Sequence, residues 1–208
     1  ETIAQITSTP DIMGAGKNVP WKTFAEFKKG VLAAPGIITV GATFGSTSQF
    51  NWLILESLTG MKFKFVPYDG TADRMTALLS GAVMLGGLNV ASGKKHLQSG
   101  ALKGFAIAAN KRSKTFPDMP TLKELGVDMI YTLDRGIVAP KGTPRDIIDY
   151  WADVFKTAAA DSEFLEQMDA KGTGVNYVGP DGYREWADKM FKEHEDIAIQ
   201  IGLWKKDS

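Results

Sequence analysis

Residues 38–50 read ITVGATFGSTSQF, and the run that follows them, NWLILESLTG, has the apolar content of a buried helix. The stretch begins as a β-branched strand and breaks into glycines and hydroxyl side chains just where the helix begins. A loop of this composition either connects the two elements or forms a cradle for an anion. The predicted elements around the loop help to decide between a connection and an anion cradle.

The alternation of strand and helix continues on both sides of this loop. Before it, VPWKTFAEF predicts an amphipathic helix with Thr23 as its cap, and after it KFKFVPY predicts a strand. Further along, VMLGGLNV and LKGFAIAA predict apolar strands with a short helix, KKHLQSG, between them. At the front, residues 2–7 predict a strand that runs into a turn. Continuous apolar strands alternating with helices predict an α/β fold whose parallel or mixed sheet is covered on both faces.

The chain changes character near residue 138. MIYTLDRGIVAP predicts one more strand, interrupted at residues 134–136. Beyond it the pattern is helical over 144–158, 161–171 and 180–201, with one strand candidate at GVNYVG. Such a helical region has no sheet of its own to cover. We therefore expect it to pack on a sheet that this chain does not obviously supply.

Composition argues against several classes of function. The 24 basic and 24 acidic residues cancel, and neither sign forms a block, so nothing points to nucleic acid or an anionic membrane. The absence of cysteine excludes disulfides and thiolate chemistry. No apolar run approaches the ~18 residues of a membrane helix, so no direct membrane insertion is expected. The chain starts at Glu1 rather than Met, and we expect that a signal peptide or a larger N-terminal piece is absent.

Metal and hydrolase sites are also disfavoured. The two histidines, His96 and His194, lie among lysines and acids without a zinc-binding pattern, so no metal is expected. There is no Gly-x-Ser-x-Gly motif, and neither histidine is an obvious base for Ser46 or Ser48. No lysine follows the glycines of the opening loop, which argues against a nucleotide P-loop. We expect neither a cofactor nor catalysis.

The opening loop supplies the first candidate site, at Gly45, Ser46, Thr47 and Ser48. Backbone N–H groups at a helix N-terminus lack intrahelical partners and carry the positive end of the helix dipole. Together with the hydroxyls, they can hold a carboxylate or phosphate without any cation. The alternative is that Ser46 or Thr47 simply caps the following helix.

Three further candidates stand near predicted strand ends. Tyr68, in the turn sequence PYDG, is either a core ring or a hydrogen-bond donor to a ligand. Asn89 ends the strand VMLGGLN, whose paired glycines indicate the close approach of another backbone or a ligand. Arg135 lies where charged residues break an apolar strand, either as a surface bulge or as a fork for a carboxylate. Parallel strands deliver their carboxyl ends to one edge of a sheet, so together these signals favour a ligand site.

The order of motifs resembles a known family. GATFGSTSQ, FVPYDGTADRMTALLSGAV, LQSGALKGFAIAANKRSKTFPDMPTLKELG and RGIVAPKGTP follow one another as in the substrate-binding receptors of tripartite tricarboxylate transporters, also called the Bug or TctC family. The resemblance spans essentially the whole chain. It implies a periplasmic-binding-protein-like (type II) fold of two α/β domains with a hinged ligand cleft. It also implies a periplasmic receptor that passes a small organic carboxylate to membrane permease subunits.

In such receptors one domain is discontinuous, and the resemblance divides this chain accordingly. Residues 1–18 resemble the outgoing hinge, residues 19–128 the second domain, and residues 129–208 the return to the first domain. About a third of the family's usual chain, including the glycine-rich ligand loop of the first domain, is then expected to be missing.

By motif, residues 45–48 match the family's second carboxylate-binding loop, and Tyr68 and Asn89 match cleft positions. Arg135 matches the return segment of those family members that have Arg before Gly there. The chain departs from the family at Met84 and Leu88, where many members are acidic, and at Asp134, where an aromatic is common. These departures bear on which carboxylate is bound. Two other functions stay open from the residues alone: an enzyme that uses the loop for a phosphate or carboxylate substrate, and a ligand sensor of the same fold.

Overall fold

The computed structural model describes residues 1–202 and residue 204. The chain forms two compact units. The core unit comprises residues 10–132, and the helical unit comprises residues 1–9 with the residues from 133 onward. The division expected from the family resemblance was at residues 18 and 128.

The core unit is built on a mixed sheet with the strand order β3-β2-β4-β1-β5. Strand β2 pairs in parallel with both β3 and β4, whereas β1 pairs antiparallel with β4 and β5. The mixed sheet predicted from the continuous apolar strands is therefore confirmed. Its strands are β1 (Thr2–Gly16, from Pro10 onward in this unit), β2 (Thr39–Ala42), β3 (Lys64–Pro67), β4 (Leu85–Asn89) and β5 (Leu102–Ile107).

Helices connect these strands, and local signals set their ends. The Thr23 side chain accepts a hydrogen bond from the Glu26 N–H and caps the first helix. The second helix ends at Gly60, whose φ of 74° is the left-handed conformation that glycine adopts at little cost. The helices are α1 (Phe24–Ala33), α2 (Thr47–Thr59), α3 (Thr71–Ser80) and α4 (Val90–Gln98), with a short 3₁₀ turn at Lys123–Leu125.

An aromatic cluster fills one part of the core unit. The Phe27 ring is fully buried and stacks on Phe105 and Phe63, at centroid distances of 5.1 and 6.2 Å. The buried Trp52 meets Phe63 edge-on at 5.2 Å. Each such pair contributes roughly 0.5–1.5 kcal/mol beyond the burial of its area. This cluster holds α1 and α2 to the sheet.

The helical unit combines short strand pairings with three helices. The first part of β1 pairs antiparallel with β7 (Gly174–Val178), and β6 (Thr132–Val138) also pairs with β1. Ile3 and Ala4 of β1 pack with Ile148 and Ala152 of α5. The expectation that the helical region has no sheet of its own is therefore wrong, because β1 supplies the central strand. The helices are α5 (Arg145–Ala159), α6 (Ser162–Ala170) and α7 (Pro180–Gln200).

Two predicted strand boundaries are also wrong. Strand β1 continues to Gly16 instead of turning after residue 7, and β6 runs through residues 134–136 without interruption. Glycines in these two strands are points of close packing. A Cβ at Gly14 would lie 2.4 Å from a Leu88 side-chain carbon, and one at Gly136 would lie 2.6 Å from the Ala4 carbonyl oxygen.

None of the described helices combines the length and the apolar character that crossing a membrane demands.

Candidate functional site

The parallel strands β2, β3 and β4 end at one edge of the core sheet, which we call the carboxyl edge. Residues 45–48 follow β2, Tyr68 follows β3, and Asn89 is the last residue of β4. Three of the four predicted site segments therefore meet at one edge, where open α/β sheets commonly bind ligands. The pairing of β2 with both neighbours is what brings them together.

The loop after β2 is held by a network of hydroxyl groups. Ser46 is the N-cap of α2, and its Oγ accepts from the Ser48 N–H at 3.3 Å and donates to the Thr43 carbonyl at 2.7 Å. The two serine hydroxyl oxygens are 2.8 Å apart. Since Ser46 donates its single hydroxyl hydrogen to Thr43, the Ser48 hydroxyl is the donor between the two serines. Ser48 Oγ in turn accepts from the Thr43 N–H at 3.0 Å.

Gln49 also closes this loop, although no sequence motif singles it out. Its buried side chain accepts a hydrogen bond from the Gly45 N–H through Oε1 at 2.8 Å. Gly45 has a φ of +73°, which turns its N–H toward the start of the helix. Thr47, the first residue of α2, is exposed. Ser46 thus fulfils the capping alternative, while the anion cradle stays a prediction.

Glycines let the loop and Tyr68 lie close to the sheet. A Cβ at Gly87 of β4 would lie 3.2–3.3 Å from Ser48 atoms, so the start of α2 packs directly on this strand. The close approach predicted from the paired glycines is therefore a contact with backbone and side chain of the loop. The half-buried Tyr68 ring packs against Gly41 and the neighbouring apolar cluster, and its N–H donates to the Ala42 carbonyl at 2.9 Å.

Asn89 uses part of its side chain to begin α4. Its Oδ1 accepts from the Ser92 N–H at 2.9 Å, and the Ser92 Oγ accepts from the Asn89 N–H at 3.1 Å. This reciprocal capping box fixes the orientation of the amide. The NH₂ group is the part of the side chain that can contact a ligand. Asn89 pairs in register with Asp11 of β1, whose carboxylate accepts from Asn51 Nδ2 at 2.8 Å.

Arg135 belongs to a different unit from these three segments. It lies in the middle of β6, in the helical unit, with an exposed side chain. The grouping of Arg135 with the other segments as a strand-end signal is wrong, because Gly136 continues the strand rather than ending it.

Arg74 is a cation that sequence reasoning missed. Its Nη1 donates to Thr43 Oγ1 at 2.7 Å, which brings the guanidinium to the loop that follows β2. Burial lowers the pKa of Arg74, and the negative charge of Asp11 partly offsets that effect. On sequence, an arginine in the first turns of a surface helix looks like an ordinary solvated residue. Only the pairing of β2 with β3 brings α3 beside the loop.

Within the described ranges, no group of three or more histidine, aspartate or glutamate side chains could hold a metal ion.

Comparison with known proteins identifies the family. Residues 1–203 match the family profile of the tripartite tricarboxylate transporter family receptor, TctC. The chain belongs to this receptor family. The family resemblance drawn from the sequence motifs is therefore confirmed. The matched family is one of receptors rather than enzymes, which agrees with the expectation of no catalysis.

Curated relatives are similar to this chain over most of its length but over only part of their own. The "UPF0065 protein in gbd 5'region" of Cupriavidus necator is 33% identical over 189 residues, which are 89% of this chain and 57% of that protein. BugT of Bordetella pertussis is 29% identical over 172 residues, 82% of this chain and 53% of BugT. The chain spans about half the length of the curated relatives it matches.

Solved structures share the fold. The periplasmic binding protein BugD is 26% identical, with a TM-score of 0.85 over 99% of this chain and 70% of BugD. MatC from Rhodopseudomonas palustris, solved with bound malate, is 28% identical, with a TM-score of 0.75 over 84% of this chain and 60% of MatC. The predicted periplasmic-binding-protein-like α/β fold is therefore confirmed.

Proposed function

We propose that the chain captures a small organic carboxylate, a di- or tricarboxylate or an aromatic carboxylate, in the periplasm. It delivers this ligand to the membrane permease subunits of a tripartite tricarboxylate transporter. The observation that carries the proposal is the hydroxyl-rich loop at the start of α2, at the carboxyl edge, in a chain of this receptor family. The malate bound by MatC supports a carboxylate as the ligand.

The proposed site on the core unit consists of Gly45, Ser46, Thr47, Ser48 and the neighbouring Tyr68 and Asn89. A carboxylate there accepts hydrogen bonds from hydroxyls and from N–H groups at the positive end of the α2 dipole. Charge-assisted bonds of this kind are stronger than the neutral ones they replace. No proton transfer or covalent step is needed, because the function is binding.

Arg135 stays a separate candidate for contact with an anion, in the helical unit. Its exposed guanidinium has the fork geometry that suits a carboxylate. An Arg135→Gln variant tests this assignment by itself. A loss of affinity of at least about tenfold, the scale of one charge-assisted hydrogen bond, supports it, and an unchanged affinity removes Arg135 from the site.

We also propose that the core unit corresponds to the family's second domain and the helical unit to the returning part of the first. The expected division at residues 18 and 128 then shifts to residues 10 and 132, where the two compact units divide. The outgoing hinge is β1, which continues from one unit into the other as a single strand.

Thermal unfolding with a ligand panel tests the proposed function. The panel comprises malate, succinate, adipate and benzoate, with ATP and glucose 6-phosphate as controls. A ligand at about 100 times its Kd stabilises the folded state by about 2.7 kcal/mol, so a binding carboxylate raises the Tm visibly. Proton NMR of the recovered ligand checks that it is unchanged.

Stabilisation by one or more carboxylates without turnover supports the receptor proposal. Stabilisation only by the nucleotide or the sugar phosphate would overturn it, as would chemical conversion of the ligand. An unchanged Tm with every carboxylate would also overturn it.

A further inference from the structure

Arg74 bridges two elements at the carboxyl edge. Besides the bond from Nη1 to Thr43 Oγ1, its Nη2 donates to Thr71 Oγ1 at 3.3 Å. Thr43 begins the loop that leads to α2, and Thr71 is the first residue of α3. The guanidinium therefore lies between the loop that leads to α2 and the start of α3.

The charge of Arg74 is poorly compensated. Its Nε is buried and has no hydrogen-bond partner. Among the described residues, no carboxylate oxygen lies within 4.0 Å of its nitrogens. The side chain is half-buried, and burial outweighs the more distant attraction of Asp11 in setting its lowered pKa. A cation that loses water without gaining an anionic acceptor is destabilised, so an anion bound beside it restores the missing interaction.

The loop itself has few donors to spare. The N–H groups of Gly45, Thr43 and Ser48 are bonded to the side chains of Gln49, Ser48 and Ser46. Another negative group near the loop therefore needs a different donor. The start of α3 is favourable to it, because the N-cap Gly70 provides no side-chain acceptor for the first N–H groups of that helix.

We propose that Arg74 makes this site selective for dicarboxylates: one carboxylate binds at residues 45–48, and the second pairs with the Arg74 guanidinium. The inference rests on the proposed function and names its ligand class. Arginine suits the role, because its planar fork offers a carboxylate two parallel N–H bonds. The two threonine hydroxyls hold the fork in place and carry no charge of their own.

The test compares each dicarboxylate of the panel with its monoamide, which keeps the shape and loses one charge. Calorimetric titrations use the wild type, Arg74→Gln and Arg74→Lys. Lys29→Gln is the charge-matched control, since Lys29 is an exposed residue of α1. Thr43→Val removes the acceptor of the Arg74 hydrogen bond but keeps the positive charge. Melting temperatures without ligand show whether each variant is folded.

Arg74→Gln is expected to weaken dicarboxylate binding about 10- to 100-fold and monoamide binding less than about threefold, the scale of one charge-assisted hydrogen bond. The dicarboxylate affinity of Arg74→Lys is expected to lie between those of the wild type and Arg74→Gln. Lys29→Gln leaves the affinities for both ligands unchanged. Thr43→Val keeps the charge but loosens the fork, so it weakens dicarboxylate binding by a smaller factor than Arg74→Gln and leaves monoamide binding nearly unchanged.

Two results would overturn the inference while the wild type still binds carboxylates. One is an unchanged dicarboxylate affinity in Arg74→Gln. The other is an equal loss for dicarboxylate and monoamide, matched by Thr43→Val, which makes Arg74 a structural tie only. If the wild type binds no carboxylate, the proposed function itself fails and takes this inference with it.

Discussion

The two units treat their aromatic side chains differently, as Phe27 and Phe191 illustrate. Phe27 in the core unit is 0% exposed and stacks on two other rings, whereas Phe191 on α7 in the helical unit is 63% exposed. Burial removes apolar area from water at roughly 25 cal/mol per Å², so only the first ring adds substantially to stability. The same type of side chain therefore contributes much more to the free energy of unfolding in the core unit than in the helical unit.

The contrast extends to whole elements. Helices α6 and α7 have no buried residue, whereas α2 buries most of its first three turns. Exposed apolar side chains are frequent in the helical unit, among them Val138, Tyr150, Trp151, Val154 and Leu165. Regions with little buried apolar area open at lower free energy. We therefore expect the helical unit to exchange its amide hydrogens faster than the core unit.

The largest expected effect uses the two phenylalanines as a matched pair. Phe27→Ala leaves a cavity among Phe63, Phe105 and Trp52 and should lower the free energy of unfolding by about 3–5 kcal/mol. Phe191→Ala should change it by less than about 1 kcal/mol, since the ring is already in contact with water. Urea unfolding followed by circular dichroism measures both. Similar losses in the two variants would contradict the comparison.

An intermediate effect separates capping from ligand binding. Ser46→Ala combined with Thr47→Val removes the cap of α2 and should lower stability by about 1 kcal/mol. The same variant should weaken carboxylate binding by roughly 1–3 kcal/mol if the hydroxyls contact the ligand. Asp161→Ala is the matched control in the helical unit, where Asp161 caps α6 by accepting from the Phe164 N–H at 2.9 Å.

Calorimetry and thermal unfolding distinguish the two roles. Both cap variants should lose comparable stability, and only the Ser46/Thr47 variant should lose affinity. If affinity is unchanged in both, the loop is a cap and nothing more. If both variants lose affinity equally, the effect arises from general destabilisation.

The smallest effect concerns an exposed ion pair in the helical unit. The pKa of Asp181 lies below its ordinary value of 3.8, mainly because Arg145 donates hydrogen bonds to its carboxylate. A depressed pKa in the folded state means that the stabilisation is present above that ordinary value and is lost as the pH falls through the folded pKa. Solvent and salt screen a pair this exposed, so its contribution is small.

Carbon-13 NMR titration of the aspartate carboxyl groups measures this pair. Arg145→Gln should raise the pKa of Asp181 toward 3.8, and the acid sensitivity of the variant should fall correspondingly. An unshifted titration in Arg145→Gln would show that the pair does not form in solution. The Arg112→Gln variant, in the core unit, is the matched control because it breaks a different exposed pair, with Glu124.

Much of the core unit was predictable because its signals are local. The helix predicted to follow the opening loop is α2 at Thr47–Thr59, since Ser46 and Gly60 mark its ends in the sequence itself. The gathering of residues 45–48, Tyr68 and Asn89 followed from the expectation of parallel strands, which end at one edge. Periodicity and capping residues suffice to predict an element when the residues at its two ends are themselves typical caps.

The rest depended on contacts between distant parts of the chain. The glycines in β1 and β6 are required by the atoms packed against them, such as the Leu88 side chain beside Gly14, and no local pattern reveals those contacts. Arg74 is a candidate site residue only because the fold places it beside Thr43, which is 31 positions away in sequence. Gln49 is a polar residue at the start of a helix predicted to be buried, and its partner, the Gly45 N–H, comes from a left-handed turn that the sequence pattern does not reveal.

That bond from Gly45 to Gln49 has a consequence for selectivity. An oxygen atom that takes the Gly45 N–H replaces the amide oxygen of Gln49, so one hydrogen bond is exchanged for another. Only the difference between a charged and a neutral acceptor then favours the newcomer, on the order of 1 kcal/mol. In the proposed carboxylate site this exchange disfavours uncharged mimics, because they gain nothing by replacing the Gln49 oxygen. The loop also keeps its shape between one occupant and the next, so less order has to be created on binding.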